Sequence, residues 1–160
     1  MIVFAVDPGP VESAWVVWDG LRIDAFGKAK NEQLLEPPEP VNRYVIEMIS
    51  SMGMSVGETT FETVFWIGRF YQAWGGETYV SRIKRHEVKM HICHHPRAKD
   101  GNIRQALIDR IGAPGTKKAP GPTYGISGDC WQALALAVTY YDQNNGGEHV
   151  RSDRVLRAGA

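Results

Sequence analysis

IVFAVDPGPVESAWVVWDG, residues 2–20, decides how this chain folds, and Asp7 is its central residue. Ile2 to Val6 is a continuous apolar run rich in β-branched residues, which reads as a strand buried on both faces. The run ends in an acid. Pro8, Gly9 and Pro10 force a turn, and Ala14 to Trp18 forms a second apolar strand closed by Asp19-Gly20. Asp-Gly between two apolar runs predicts a two-residue hairpin, because both turn positions need positive φ. Leu21 to Phe26 should therefore return antiparallel. The expected product is a three-stranded meander that displays one carboxylate where its buried strand meets solvent.

The next question is which other acids this fold brings to Asp7. Tyr44 to Ile49 is a fourth strand, apolar except for Glu47, and a charge inside such a run is costly unless it is paired or bound to a cation. Thr78 to Ile83 is a fifth strand, and Glu87 to Cys93 is expected as a further extended piece. Helices are expected over 60–74, 98–111 and 130–141, with Asn31 to Glu36 as a short helical turn before the stiff Pro37-Pro38-Glu39-Pro40 spacer. Asp129 opens the last helix. It reads either as a helix-start acid that complements the dipole or as a third carboxylate, with Gln132 three residues on sharing its face. Glu62, early in the 60–74 helix, is a solvated first-turn acid or one within reach of a metal-bound water. Three acids distant in sequence can thus converge at strand ends, where α/β sheets place their ligands. Clustered carboxylates need hard divalent cations with oxygen ligands.

Composition adds a second pattern. The 160 residues carry no net charge, are 43% hydrophobic and 22% charged, and suit one soluble globular domain over 1–143 followed by a flexible basic tail over 144–160. No leader segment or membrane-length apolar run stands out, so a cytoplasmic location is expected. Cys93 and Cys130 read as free thiols. Divided along the chain, residues 1–81 hold 5 Lys+Arg against 11 Asp+Glu, whereas residues 82–118 hold 10 against 3. An acidic half beside a basic segment suits a metal centre next to a polyanion track. His91-Ile92-Cys93-His94-His95 has zinc-ligand residue types but no standard zinc spacing, and reads instead as a polar segment able to touch phosphate. The loop from 112 to 128 is read as long and structureless, with Lys117-Lys118 available for phosphate.

AVDPG at the first acid, VIEMI at the second, AKDGNIRQALIDRIG and the terminal GDCWQALALAV come in one order over residues 1–142. In that order they resemble the RuvC-type Holliday junction resolvases of the ribonuclease H-like superfamily, most of all the short RuvC-like proteins of bacteriophages. The resemblance implies an α/β, ribonuclease H-like fold: a five-stranded mixed sheet, three strands antiparallel and then two parallel, with helices on both faces. It also implies a magnesium-dependent endodeoxyribonuclease of the crossover-junction type, with Mn²⁺ able to substitute and two ions per active site. The substrate would be branched DNA such as four-way junctions, cut by a homodimer in the cytoplasm, that of the bacterial host if phage-encoded. Carried over, Asp7 ligates both ions, Glu47 one of them and Asp129 the other. Gln132 stands where the family has a fourth acid, bringing an oxygen without a charge. Lys89 and Lys99 fall where the family places basic residues near the scissile phosphate. Met52 and Met54 lie in the loop that meets the junction centre, while Arg104, Lys117 and Lys118 extend the DNA-binding surface. The helix over 60–74 is the expected dimer face.

Three other readings compete, and the first is a nuclease that cuts flaps, replication forks or branched structures broadly. Sugar-kinase and actin-like ATPases also begin with an Asp-x-Gly hairpin, but they need two such domains to enclose ATP. A non-catalytic branched-DNA-binding recombination accessory protein that retains the fold is favoured by Gln132 and opposed by the retention of all three acids.

Overall fold

The computed structural model describes residues 1–51, 53 and 55–157, with side chains up to residue 145, so the predicted contact residues Met52 and Met54 lie outside the described residues. Five strands form one sheet in the order β3-β2-β1-β4-β5. They are β1 (Val3–Asp7), β2 (Glu12–Trp18), β3 (Ile23–Lys30), β4 (Arg43–Met48) and β5 (Val80–Lys84). The first three strands pair antiparallel, and β4 joins β1 and β5 in parallel. Among the described residues there are four α-helices, α1 (Glu58–Ala73), α2 (Arg85–Cys93), α3 (Asp100–Ile111) and α4 (Cys130–Arg157), and two short 3-10 turns at Gln33–Leu35 and Gly76–Thr78.

Alternation along β1 divides the core into two layers. Val3 and Ala5 point to the face covered by α4, α2 and α3, where Val45, Ile103, Leu107, Leu134 and Val138 are buried with them. Phe4 and Val6 point the other way, against Trp66, Ile67 and Phe70 of α1. The expected mixed sheet with helices on both faces is thus observed. Among the described residues, no helix is long and apolar enough to cross a membrane, and Cys93 and Cys130 are free.

Three local expectations are corrected. The β2–β3 connection is not a two-residue turn. Asp19 Oδ1 accepts the N–H groups of both Leu21 and Arg22 at 2.7 Å, which holds a loop over residues 19–22 and shifts the register at Val17/Trp18. Gly20, at φ 103°, abuts the Tyr141 ring of α4 so closely that a Cβ would collide with it. The segment 87–93 is helical rather than extended. Glu87 accepts the backbone N–H of Lys84 at 2.8 Å and closes the N-terminus, while Val88 and Ile92, four residues apart, face the core. Finally, the 112–128 loop is structured. Thr116 and Ala119 exchange backbone hydrogen bonds and Gly115 bridges Pro120, so Lys117 and Lys118 are the two tip residues of a tight hairpin.

Over 60–74, sequence spacing alone predicts an apolar stripe on Phe61, Val64, Phe65, Gly68 and Tyr71/Gln72. In α1 the buried stripe is Thr63, Trp66, Ile67 and Phe70, whereas Phe61, Val64 and Phe65 are exposed. The helix is apolar on two sides.

One polar cluster pins α2, α3 and α4 together. Arg110 grips the Asp142 carboxylate through both terminal nitrogens, at 2.6 and 2.7 Å, and His91 Nε2 sits 2.7 Å from the same group. Burial pushes the Asp142 carboxyl up, but its bonds to Arg110 and His91 outweigh that and hold it below the usual value of 3.8. The stabilisation is therefore present above the unfolded pKa and is lost as pH falls through the lowered one. Asp142→Asn is expected to cost about 1–3 kcal/mol at neutral pH and less in acid, measured by urea unfolding at both. An equal loss at both pH values would refute the ionic account.

Candidate active site

Two carboxylates are brought side by side by strand register. β1 and β4 run parallel with Val6 opposite Ile46, so the next step sets Asp7 beside Glu47 at the strands' C-terminal ends. Both share the parity of Val3, Ala5 and Val45, so both side chains face the α4 layer. Asp129 immediately precedes Cys130, the first residue of α4, and Gly128 before it takes φ 52°. The helix that covers the two acids therefore begins with the third.

Burial gives these acids unusual properties. Desolvation and then the neighbouring Glu47 charge raise the Asp7 carboxyl from 3.8 to about 7; Arg85 opposes the rise, and Asp129 and Asp100 add to it. Glu47, only 7% exposed, is also pushed up by burial, against the pull of Arg85. These dependences place Asp7, Glu47, Asp129, Asp100 and Arg85 in one electrostatic cluster.

The protein supplies part of the balancing charge itself. Arg85 Nη1 donates to Glu47 Oε1 at 3.1 Å, and its Nη2 donates to Asp100 Oδ1 at 2.8 Å. Lys28 Nζ lies 3.0 Å from Asp129 Oδ2 and 3.3 Å from Glu12 Oε1. The Asp129 carboxylate, more than half exposed, is thus turned to a lysine of β3. With Glu47 and Asp129 so engaged, no three His, Cys, Asp or Glu side chains among the described residues form a ready-made ligand cluster.

Among the described residues, two buried side-chain oxygens nevertheless have no partner: Glu47 Oε2 and Gln132 Oε1. An orphaned acceptor in a buried site costs on the order of 1–3 kcal/mol. A hard divalent cation, which binds only oxygens here, would satisfy such atoms and offset the crowding that raises Asp7. The donor set of Asp7, Glu47, Asp129 and Gln132 therefore fits such an ion.

The predicted basic residues divide into two groups. Lys89 shares with Glu47, Ser50, Arg85 and His86 a cavity of about 230 Å³ beside the acids. Lys99 directly precedes Asp100 but lines a separate cleft with Cys93, His95 and Arg97. Arg104 lies over the Trp131 ring at 5.4 Å, and Lys117 and Lys118 stand exposed at their hairpin tip. His91 is turned to Asp142. Arg85, Asp100 and Lys28 went unrecognised in the sequence. A signal for Arg85 existed: β5 pairs with β4 in parallel with Ile83 opposite Glu47, so a residue two steps later lies at the same sheet end.

No family model matches the sequence, and no curated protein matches it. Solved structures do. The Thermus thermophilus RuvC structure aligns with a TM-score of 0.60 at 18% identity, over 91% of this chain and 97% of the other. The fold is that of RuvC. T. thermophilus RuvC in complex with Holliday junction substrate aligns equally, with a TM-score of 0.61 at 18% identity over 92% and 96% of the two chains. The RuvC fold accounts for the mixed sheet and for the side-by-side ends of β1 and β4.

Proposed function

We propose that the chain is a metal-dependent, structure-selective DNA endonuclease that resolves Holliday junctions or other branched DNA. The observation that carries this reading is the convergence of Asp7, Glu47 and Asp129 at one end of a RuvC-fold sheet, with an orphaned oxygen on Glu47 itself and another on Gln132, three residues along the chain from Asp129. Asp7, Glu47, Asp129 and Gln132 would hold Mg²⁺ or Mn²⁺. Two such ions held by these residues would supply the chemistry of the reaction, activating a water and stabilising the leaving oxygen of a phosphodiester. Lys89 and His86 orient the phosphate from the adjoining cavity, where a positive wall favours the strand and the apolar floor of Met48 and Ile49 limits water. Lys99, Arg104, Lys117 and Lys118 hold the DNA backbone outward from there.

A homodimer suits a substrate with paired strands to cut. The exposed Phe61, Val64 and Phe65 of α1 form its apolar face, along a groove bounded by Leu35 and Gly68. Encoded by a phage, such an enzyme would act in the bacterial host cytoplasm.

Gln132, together with the engagement of Glu47 by Arg85 and of Asp129 by Lys28, favours the second reading, a non-catalytic protein that binds branched DNA. The deciding experiment is incubation of a labelled four-way junction, linear duplex, flap and fork DNA with Mg²⁺ or Mn²⁺. Symmetric junction nicks are the expected result. Cutting of every branched form would make the protein a general debranching nuclease, and tight binding without cutting would overturn the nuclease reading.

The metal set makes a further prediction at Gln132, which is 4% exposed. Gln132→Glu adds a charge among buried acids and is expected to cost about 2–3 kcal/mol of stability in chelator. Saturating Mn²⁺ should remove most of that deficit. Thermal melts with and without Mn²⁺ check this; a deficit indifferent to Mn²⁺ would place Gln132 outside the ligand set.

A further inference from the structure

Arg85 divides its guanidinium in a way that a purely structural ion pair does not require. A fork that served only to neutralise buried Glu47 would take both carboxylate oxygens. Here one nitrogen binds Glu47 Oε1, the other binds Asp100 Oδ1, and Glu47 Oε2 is left buried without a partner. The three groups come from separate elements: Glu47 from β4, Arg85 from the start of α2 and Asp100 from the start of α3. Asp100 is largely exposed, so it needs no partner for its own sake, yet it anchors the arginine over the strand end.

We propose that Arg85 is a built-in counter-cation that occupies one oxygen of Glu47, makes Glu47 a one-oxygen ligand, and is kept there by Asp100. This inference rests on the nuclease reading and deepens it. Arg85 is a positioning residue: it sets how much of Glu47 a divalent ion can take. A first ion at Asp7 and Asp129 competes only with Lys28, a half-exposed amine on one exposed oxygen of Asp129, whereas an ion drawn to Glu47 meets both an occupied buried oxygen and a positive charge fixed by Asp100. Gln132 works in the same direction, since it contributes an oxygen without the charge that would offset Arg85. The site is thereby biased toward weak, unequal binding of its ions. Lysine cannot replace the fork, because its single ammonium cannot span Glu47 and Asp100 in the same geometry.

The test is Mn²⁺ binding without DNA, read from the electron paramagnetic resonance signal of free Mn²⁺, for wild type, Arg85→Gln and Arg85→Lys, with thermal melts to confirm folding. Arg85→Gln is expected to tighten the weaker Mn²⁺ step about tenfold by freeing Oε1 and removing a charge. Arg85→Lys, which keeps the charge but loses the fork and is the variant better able to fold, should fall between it and wild type. If both variants bind Mn²⁺ no tighter than wild type, Arg85 is only a structural bridge and the proposal is overturned while the nuclease reading stands. If wild type and variants alike bind no Mn²⁺, the metal-dependent reading fails and this proposal fails with it.

Discussion

Asp7→Asn is expected to abolish cleavage and, in the absence of divalent ions, to make the protein more stable. The loss should reach about a thousandfold in rate, roughly 4 kcal/mol of barrier, because in the proposed site Asp7 would hold the cations and an amide holds a cation far less well than a carboxylate. The gain has a separate origin. Burial and the Glu47 charge raise the Asp7 carboxyl from 3.8 to about 7, so ionising it opposes folding. Between these values the unfolded chain has released the proton that the folded chain retains, so stability falls as pH rises through that window and levels off above it. An asparagine removes this penalty, and the variant should gain roughly 2–4 kcal/mol at pH 8 and little at pH 4. Urea unfolding in chelator at both pH values, beside junction cleavage with Mg²⁺, measures the two effects. A variant that still cuts, or that is less stable than wild type at pH 8, would show that Asp7 does not occupy the site inferred for it.

Phe4→Ala should be the most damaging substitution for stability alone, at about 3–5 kcal/mol. Phe4 is fully buried in β1, and its ring meets Trp15 at 5.8 Å, Trp74 at 5.6 Å and Tyr44 at 6.2 Å. Trp74 is itself fixed, stacked on Phe70 at 4.9 Å and donating its indole N–H to the Leu34 carbonyl at 2.9 Å. The cage is thus too well tied down to collapse into the space an alanine leaves. Phe4→Leu, which keeps most of the volume, should cost far less. Chemical unfolding of the pair decides the matter, and a loss below about 1 kcal/mol for the alanine variant would mean the cage relaxes.

The strands were legible because their apolar runs are long and bounded by Pro, Gly or Asp, and the acids stood out as charges in apolar contexts. Asp7 and Glu47 could be paired on paper for that reason. What failed was local and polar. Residues 87–93 bury Val88 alone, with Ile92 and Cys93 partly buried beside it, too few to separate a helical period from an extended one, and the deciding bond from Lys84 to Glu87 is a single side-chain contact. The Lys117-Lys118 hairpin is held by backbone bonds between Thr116 and Ala119, which composition does not display. Arg85 was hidden differently. One arginine in a segment with ten Lys and Arg carries no mark, and only the parallel register of β4 and β5 reveals that it lies at the acids.

The spacing of the acids also has a consequence for synthesis. Asp7 and Glu47 adjoin only after β4 has paired with β1, and Asp129 arrives with α4, which packs across β1, β2 and β4. A ribosome delivers these pieces in that order, so the three acids are not assembled until α4 has been translated and has docked, and the proposed nuclease would stay inert until then. If the proposed site is right, prematurely terminated copies that end before Asp129 carry two of its acids without the third and would be unable to nick the DNA of the cell that makes them.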